Sequence, residues 1–217
     1  MVSYDGTDFF GWQRQPGLRT VQGVIEDGIR ELLGEEVFVR AAGRTDAGVH
    51  ADGQVASFAL ASRIPPHGLL RGLNSILPAD VALVEVAEAA ADFDARFSAR
   101  GKVYRYTVFN HMVRSPRHAR VAWHVRRALD MTAIRQAAAL LVGEHDFRAF
   151  TPTDTQHESF VRVVESARWV EVDEDVLAFE ITADSFLRHM VRTLVGTMLV
   201  LEPGRIAPLL AGRPRSE

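Results

Sequence analysis

The sequence predicts an α+β fold built from two ferredoxin-like halves, each following the order β-α-β-β-α-β, with a mostly antiparallel sheet and helices packed on one face. Two observations carry this expectation. An amphipathic helix of 3.6-residue period lies near the start among short strand-like runs, and the same order of elements recurs after residue 100. With 217 residues, 47% of them hydrophobic, the chain can bury a real core.

In the first half, Val21, Val24, Ile25, Ile29, Leu32 and Leu33 share one helical face, with Thr20 as N-cap and Gly34 as the stop. Strands are expected at residues 1–4, 37–41, 54–60 and 81–86, and a second helix at 66–76. The second half offers a strand at 103–109, a helix at 132–142 capped by Asp130, strands at 161–170 and 177–182, and a helix at 185–201. Its last strand is missing from this reading. The halves are expected to divide as residues 1–94 and 95–217. The chain opens inside a strand and closes on a tail rich in Gly, Pro and Arg, so both ends look clipped. An open sheet edge costs stability, so the natural protein is expected to continue past Glu217 or to pair that edge otherwise.

The net charge of -3 gives no global sign of a polyanionic partner, but the distribution does. Between residues 95 and 129 stand Arg96, Arg100, Lys102, Arg105, Arg114, Arg117, Arg120, Arg126 and Arg127, without one Asp or Glu. Such a stretch suits either phosphate binding with counterion release or a solvated surface. Lys102 is the only lysine, which fits a GC-rich genome better than selection for bidentate contacts. The absence of cysteine excludes disulfides, thiolate metal sites and cysteine nucleophiles. No apolar run approaches the roughly 20 residues of a membrane span and no basic-then-apolar leader opens the chain, so a cytoplasmic location is expected.

The sharpest local feature is the polar loop Gly43-Arg44-Thr45-Asp46-Ala47-Gly48-Val49-His50, set between two expected strands. Asp46 beside Arg44 suits an ionised carboxylate able to act as nucleophile or base. It equally suits a turn-stabilising Asx residue. The eight histidines show no helical pair with an interposed glutamate, and Gly43 and Gly48 lack the following lysine of a phosphate-cradling loop. His145-Asp146 reads as structural, because adjacent side chains point apart.

That loop, continued to Ala51, resembles the signature of the tRNA pseudouridine synthase A family. Tyr4-Asp5-Gly6-Thr7 with Gly11-Trp12-Gln13-Arg14-Gln15 is similar to the family's opening, and Phe93-Asp94-Ala95-Arg96-Phe97-Ser98-Ala99 with Tyr104-Arg105-Tyr106 to its middle motif. Gly143-Glu144-His145-Asp146-Phe147 and Phe186-Leu187-Arg188-His189-Met190-Val191-Arg192 are similar to its later ones. The matches occur in order along nearly the whole chain.

The resemblance implies a homodimeric enzyme, independent of cofactors and metals, acting on tRNA uridines at positions 38 to 40 of the anticodon stem-loop. It also implies Asp46 as the catalytic carboxylate, Tyr104 as the active-site tyrosine and Arg192 as the partner of the aspartate. Tyr106 is left as core. Arg44 is expected to hold a phosphate or the flipped nucleotide, because a base in a stem must leave its stack to be reached. Arg14, Arg96, Arg100 and the arginines from Arg114 to Arg127 are candidates for tracking the RNA backbone. Two other functions compete: a catalytically inactive RNA-binding module of the same fold, and a nucleoside hydrolase in which water completes the cleavage.

Overall fold

Helix α1 (Val21–Leu33) begins and ends where its capping chemistry places it, in a computed structural model that describes residues 1–155 and 158–212. The Thr20 side chain accepts from the Gly23 N–H, and Gly34 closes the helix with a left-handed φ of 71°. The chain divides into two units, Met1–Ala99 and Arg100–Glu217, and its architecture is mixed α+β.

In the first unit, β1 (Val2–Tyr4) lies between β3 (Ala51–Gln54) and β5 (Val81–Leu83), antiparallel to both, while β2 (Arg40–Ala41) pairs with β4 (Ala56–Ser57). Helix α2 (Pro66–Ile76) matches its expected bounds and packs against α1 and β5. The strand expected at 37–41 shrinks to its last two residues, because the Val39 N–H goes instead to the buried carboxylate of Glu26 at 3.0 Å. The strand expected at 54–60 starts earlier and breaks at Val55, whose carbonyl accepts from the Ala42 N–H. At β5, the Asn74 amide of α2 binds both the N–H and the carbonyl of Leu83, and the strand stops there, short of the expected 86. Val2, Tyr4, Trp12, Val21, Ile25, Ile29 and Leu73 form the core of this unit.

The second unit holds a five-stranded sheet in the order β7-β6-β10-β9-β8, from β6 (Lys102–Asn110), β7 (Trp123–Val125), β8 (Gly143–Asp146), β9 (Val161–Asp173) and β10 (Val176–Ala183). Strands β6 and β7 run parallel, and the other neighbouring pairs of this sheet are antiparallel. Strands β7 and β8 escape the sequence reading, being three and four residues long and poor in apolar alternation. Within β8, His145 reaches the Val142 carbonyl and Asp146 pairs with Arg148, so the two neighbours serve different contacts.

Strand alternation sorts the side chains of this sheet into two faces. On one, Tyr106, Phe179 and Trp169 lie in cross-strand register, with Phe179 and Trp169 buried. On the other, Arg105, Glu180 and Arg168 stand in register, and both guanidiniums fork onto the carboxylate between them at 2.8 Å. Helix α3 (Met131–Ala139), capped by Asp130, packs on β9 and ends three residues before the expected 142. Helix α4 (Met190–Val200) packs on β6 and α3, and begins five residues later than expected. Residues 185–189 are held as a loop because the Asp184 carboxylate takes the Ser185 N–H and His189 adopts a left-handed φ of 60°. A short helix α5 (Ile206–Leu210) follows.

The two arginines that hydrogen-bond Glu180, Arg168 and then Arg105, hold its carboxyl below the usual glutamate value of 4.5. A depressed folded value means that the stabilisation is present above that pH and is lost as pH falls through the lowered value. Glu180→Gln should therefore be less stable than the parent at pH 7, with the gap narrowing on acidification. Urea midpoints measured at pH 7 and near pH 3 check this, and a constant gap would contradict it.

Candidate active site

Asp46 sits exposed on the loop between β2 and β3, at the first position of a turn closed by the Val49 N–H on the Asp46 carbonyl at 3.2 Å. Gly48, third in that turn, has φ of 77°, the left-handed conformation that a type II turn requires there. Arg44 lies two residues earlier and is also exposed.

The loop is held against residues 4–12, the segment that contains the opening motif. The Tyr4 hydroxyl meets the Thr45 hydroxyl at 2.8 Å, the Trp12 N–H donates to the Thr45 carbonyl at 3.0 Å, and the Gly48 N–H donates to the Phe9 carbonyl at 3.3 Å. The carbonyls of Gly11 and Trp12 in turn accept from Val21 and Gln22, two of the N–H groups that α1 cannot satisfy within itself. Thr45, the neighbour of Asp46, is thereby tied to a helix end through a single residue. Burial raises the Tyr4 pKa, partly offset by its hydrogen bonds with Thr45 and Gln54, so its hydroxyl stays neutral as this tie needs.

Two glycines make the approach sterically allowed. A Cβ on Gly6 would stand 2.1 Å from the Val49 carbonyl oxygen, and one on Gly11 would stand 2.7 Å from that of Thr45. Gly11 also needs its φ of 88°. Asp5 contributes at the same place: its carboxylate accepts from Thr7 and lies 3.0 Å from His50 Nδ1. Gln13 and Arg14, from the same motif, serve the fold instead. Gln13 bonds Gln22, and Arg14 bridges Glu26 and Asp27 at 3.1 and 3.0 Å.

The second unit groups the other expected site residues. Tyr104 on β6 is half-buried, its ring meeting Phe186 edge-on at 4.8 Å between centroids. Phe186 comes from the loop before α4. Arg192, exposed on the first turn of α4, acts on Tyr106. Burial raises the Tyr106 pKa, and the nearby guanidinium charge partly opposes this. Tyr106 thus faces a charge as well as the core it was expected to fill. The roles of Gly6, Gly11, Thr45 and Phe186 have no local signature. Only the pairing of two glycines with Tyr4 and Trp12 in one short motif hinted at a close backbone approach.

Among the described residues no group of three or more His, Asp or Glu could hold a metal ion, and no helix is long and apolar enough to cross a membrane.

The family description for tRNA pseudouridine synthase matches residues 1–98 and 137–212. The chain belongs to that family. It is 45% identical over 219 residues to tRNA pseudouridine synthase A of Myxococcus xanthus, spanning 99% of this chain and 83% of the relative. It is 44% identical to tRNA pseudouridine synthase A of Moorella thermoacetica, over 100% of this chain and 90% of the relative. With tRNA pseudouridine synthase A of Syntrophotalea carbinolica it shares 42% identity, over 100% of this chain and 88% of that protein.

The close approach generates a prediction. Gly6→Ala should destabilise the chain by about 1–3 kcal/mol, as overpacking does. Because the clash lies against backbone three residues from Asp46, turnover should fall by about a hundredfold, the cost of a displacement near 1 Å. Melting curves and single-turnover rates check both. Full turnover by a folded Gly6→Ala variant would show that the loop does not need this fit.

Proposed function

We propose that the chain isomerises uridine to pseudouridine at positions 38 to 40 in the anticodon stem-loop of tRNA, with Asp46 as its catalytic carboxylate. The observation that carries this reading is an exposed aspartate on a loop braced at Thr45 and at Gly48 by residues 4–12, in a chain that belongs to the tRNA pseudouridine synthase family.

The reaction breaks the bond from N1 of uracil to C1′ of the ribose, rotates the base and forms a bond from C5 to C1′. The proton leaves C5 and N1 gains one, so nothing is lost or added. A carboxylate suits the first step because it can attack as a nucleophile or stabilise positive charge at C1′. Loop bracing means that little motion of Asp46 must be frozen out at the transition state. In this reading Arg192 is the cation that partners the aspartate, Tyr104 stacks on the uracil with its hydroxyl near the C5 proton, and Arg44 holds the flipped nucleotide. The edge contact of Phe186 on Tyr104 supports a fixed ring plane.

The two units are read as duplicated ferredoxin-like halves. In the first, the order β5-β1-β3 with β4 continuing β3 and β2 beside it supports the split β-α-β pattern. In the second, β6-β10-β9 follows the same arrangement. The halves are assigned to residues 1–94 and 95–217, and the enzyme to a homodimer working in the cytoplasm, where its tRNA substrate resides. Asp46, Tyr104 and Arg192 are all present, and no observation favours an inactive RNA-binding module.

Asp46→Asn removes charge at nearly constant shape. It should bind an unmodified tRNA transcript as the parent does and form no pseudouridine. Quantifying pseudouridine and free uracil after incubation tests this directly. Normal conversion by the variant would remove Asp46 from the chemistry, and release of uracil by the parent would instead mark a hydrolase.

A further inference from the structure

The motif spanning residues 93–99 has no task in the chemistry above, yet it is built with care. The Asp94 carboxylate accepts from the N–H groups of Arg96 and Phe97 at 2.8 and 3.1 Å, and Ser98 closes the turn onto the Asp94 carbonyl at 2.8 Å. Ala95 is buried and donates its N–H to the Ser57 hydroxyl, while Arg40 of β2 reaches the other Asp94 oxygen. A turn so tied has fixed geometry.

What it presents is a phenylalanine in water. Phe97 is 75% exposed and Phe38 is 60% exposed. The Arg40 guanidinium lies between them, 5.7 Å from the Phe38 ring centre and 5.9 Å from that of Phe97, and Arg96 lies 5.6 Å from Phe97 on its own account. Rings and guanidinium planes side by side on a rigid support are the surface on which unstacked nucleobases lie, with Arg40 fixed by Asp94 and Arg96 left to serve an adjacent phosphate.

We infer that Phe97, flanked by Arg96 and Arg40 and extended by Phe38, is a stacking platform for an unpaired base of the substrate RNA. The inference rests on the reading that the chain binds tRNA. The platform adds affinity and holds the RNA, and takes no part in bond making. Because Arg40 opens the strand that runs into the Asp46 loop, the platform and the candidate carboxylate share one piece of backbone.

The test measures binding of a fluorescent, unmodified tRNA transcript to the full chain carrying Asp46→Asn, so that turnover does not intervene. Phe97→Ala should weaken binding about tenfold, near the lower end of the range for one base stacked on an aromatic ring. Phe97→Trp should bind like the parent, and Phe97→Leu should be as weak as the alanine variant. All three should melt with the parent, since the ring lies outside the core. Alanine binding within twofold of the parent, or leucine restoring affinity, would overturn the platform, the second by pointing to apolar burial instead of stacking. Pseudouridine formation is read separately on chains that keep Asp46. Its absence there would sink the catalytic reading while a Phe97 effect on binding left the platform standing.

Discussion

The candidate site depends on two stretches of backbone lying closer than any side chain would allow. Residues 4–12 and 45–49 touch through main-chain hydrogen bonds and through Gly6 and Gly11, where an added Cβ would meet carbonyl oxygens. A loop carrying an exposed carboxylate would ordinarily be mobile, because few buried contacts restrain it. Here the restraint comes from the side away from solvent, by the buried Trp12 and Tyr4 and by the open N-terminus of α1. The helix end that needs acceptors and the loop carbonyl that needs a donor are joined through one residue, Trp12, with Gly11 beside it accepting from the helix and leaving room for the loop.

The second unit solves its own positioning problem by strand alternation. One face of the sheet is tied by the Arg105-Glu180-Arg168 fork, and the other presents Tyr104 and Tyr106 to α4 and the loop before it. The fork fixes cross-strand register, and a register slip of one residue would turn both tyrosines to the wrong face. An ion pair at the surface contributes modestly to stability, yet it matters here for where the rings point.

The arginines divide by what they face. Arg14, Arg19, Arg40, Arg105, Arg135, Arg148 and Arg168 are engaged by carboxylates of the fold. Arg96, Arg100, Arg114, Arg117, Arg126 and Arg127 have no such ion pair among the described residues and remain available to phosphates. These six therefore contribute a local positive potential, even though the molecule as a whole is slightly negative.

The sequence by itself determined the elements whose signals are local. Helix α1 with its Thr20 and Gly34 caps, helix α2, the long strands β6, β9 and β10, and the loop around Asp46 were legible because periodicity, capping and turn chemistry act over a few residues. The family was legible too, from ordered motifs. Only the tertiary structure decided the short strands β7 and β8 and the break at Val55, because these follow from partners distant along the chain such as β6, β9 and Ala42, while the late start of α4 turned on Asp184 and the left-handed His189 just before it. It likewise decided that Arg14 meets Glu26 and Asp27, that Phe186 meets Tyr104, and that two glycines admit another backbone. Hydrogen bonds and steric limits between distant segments leave no trace in the local pattern of either one, so they become readable only when the fold has brought both together.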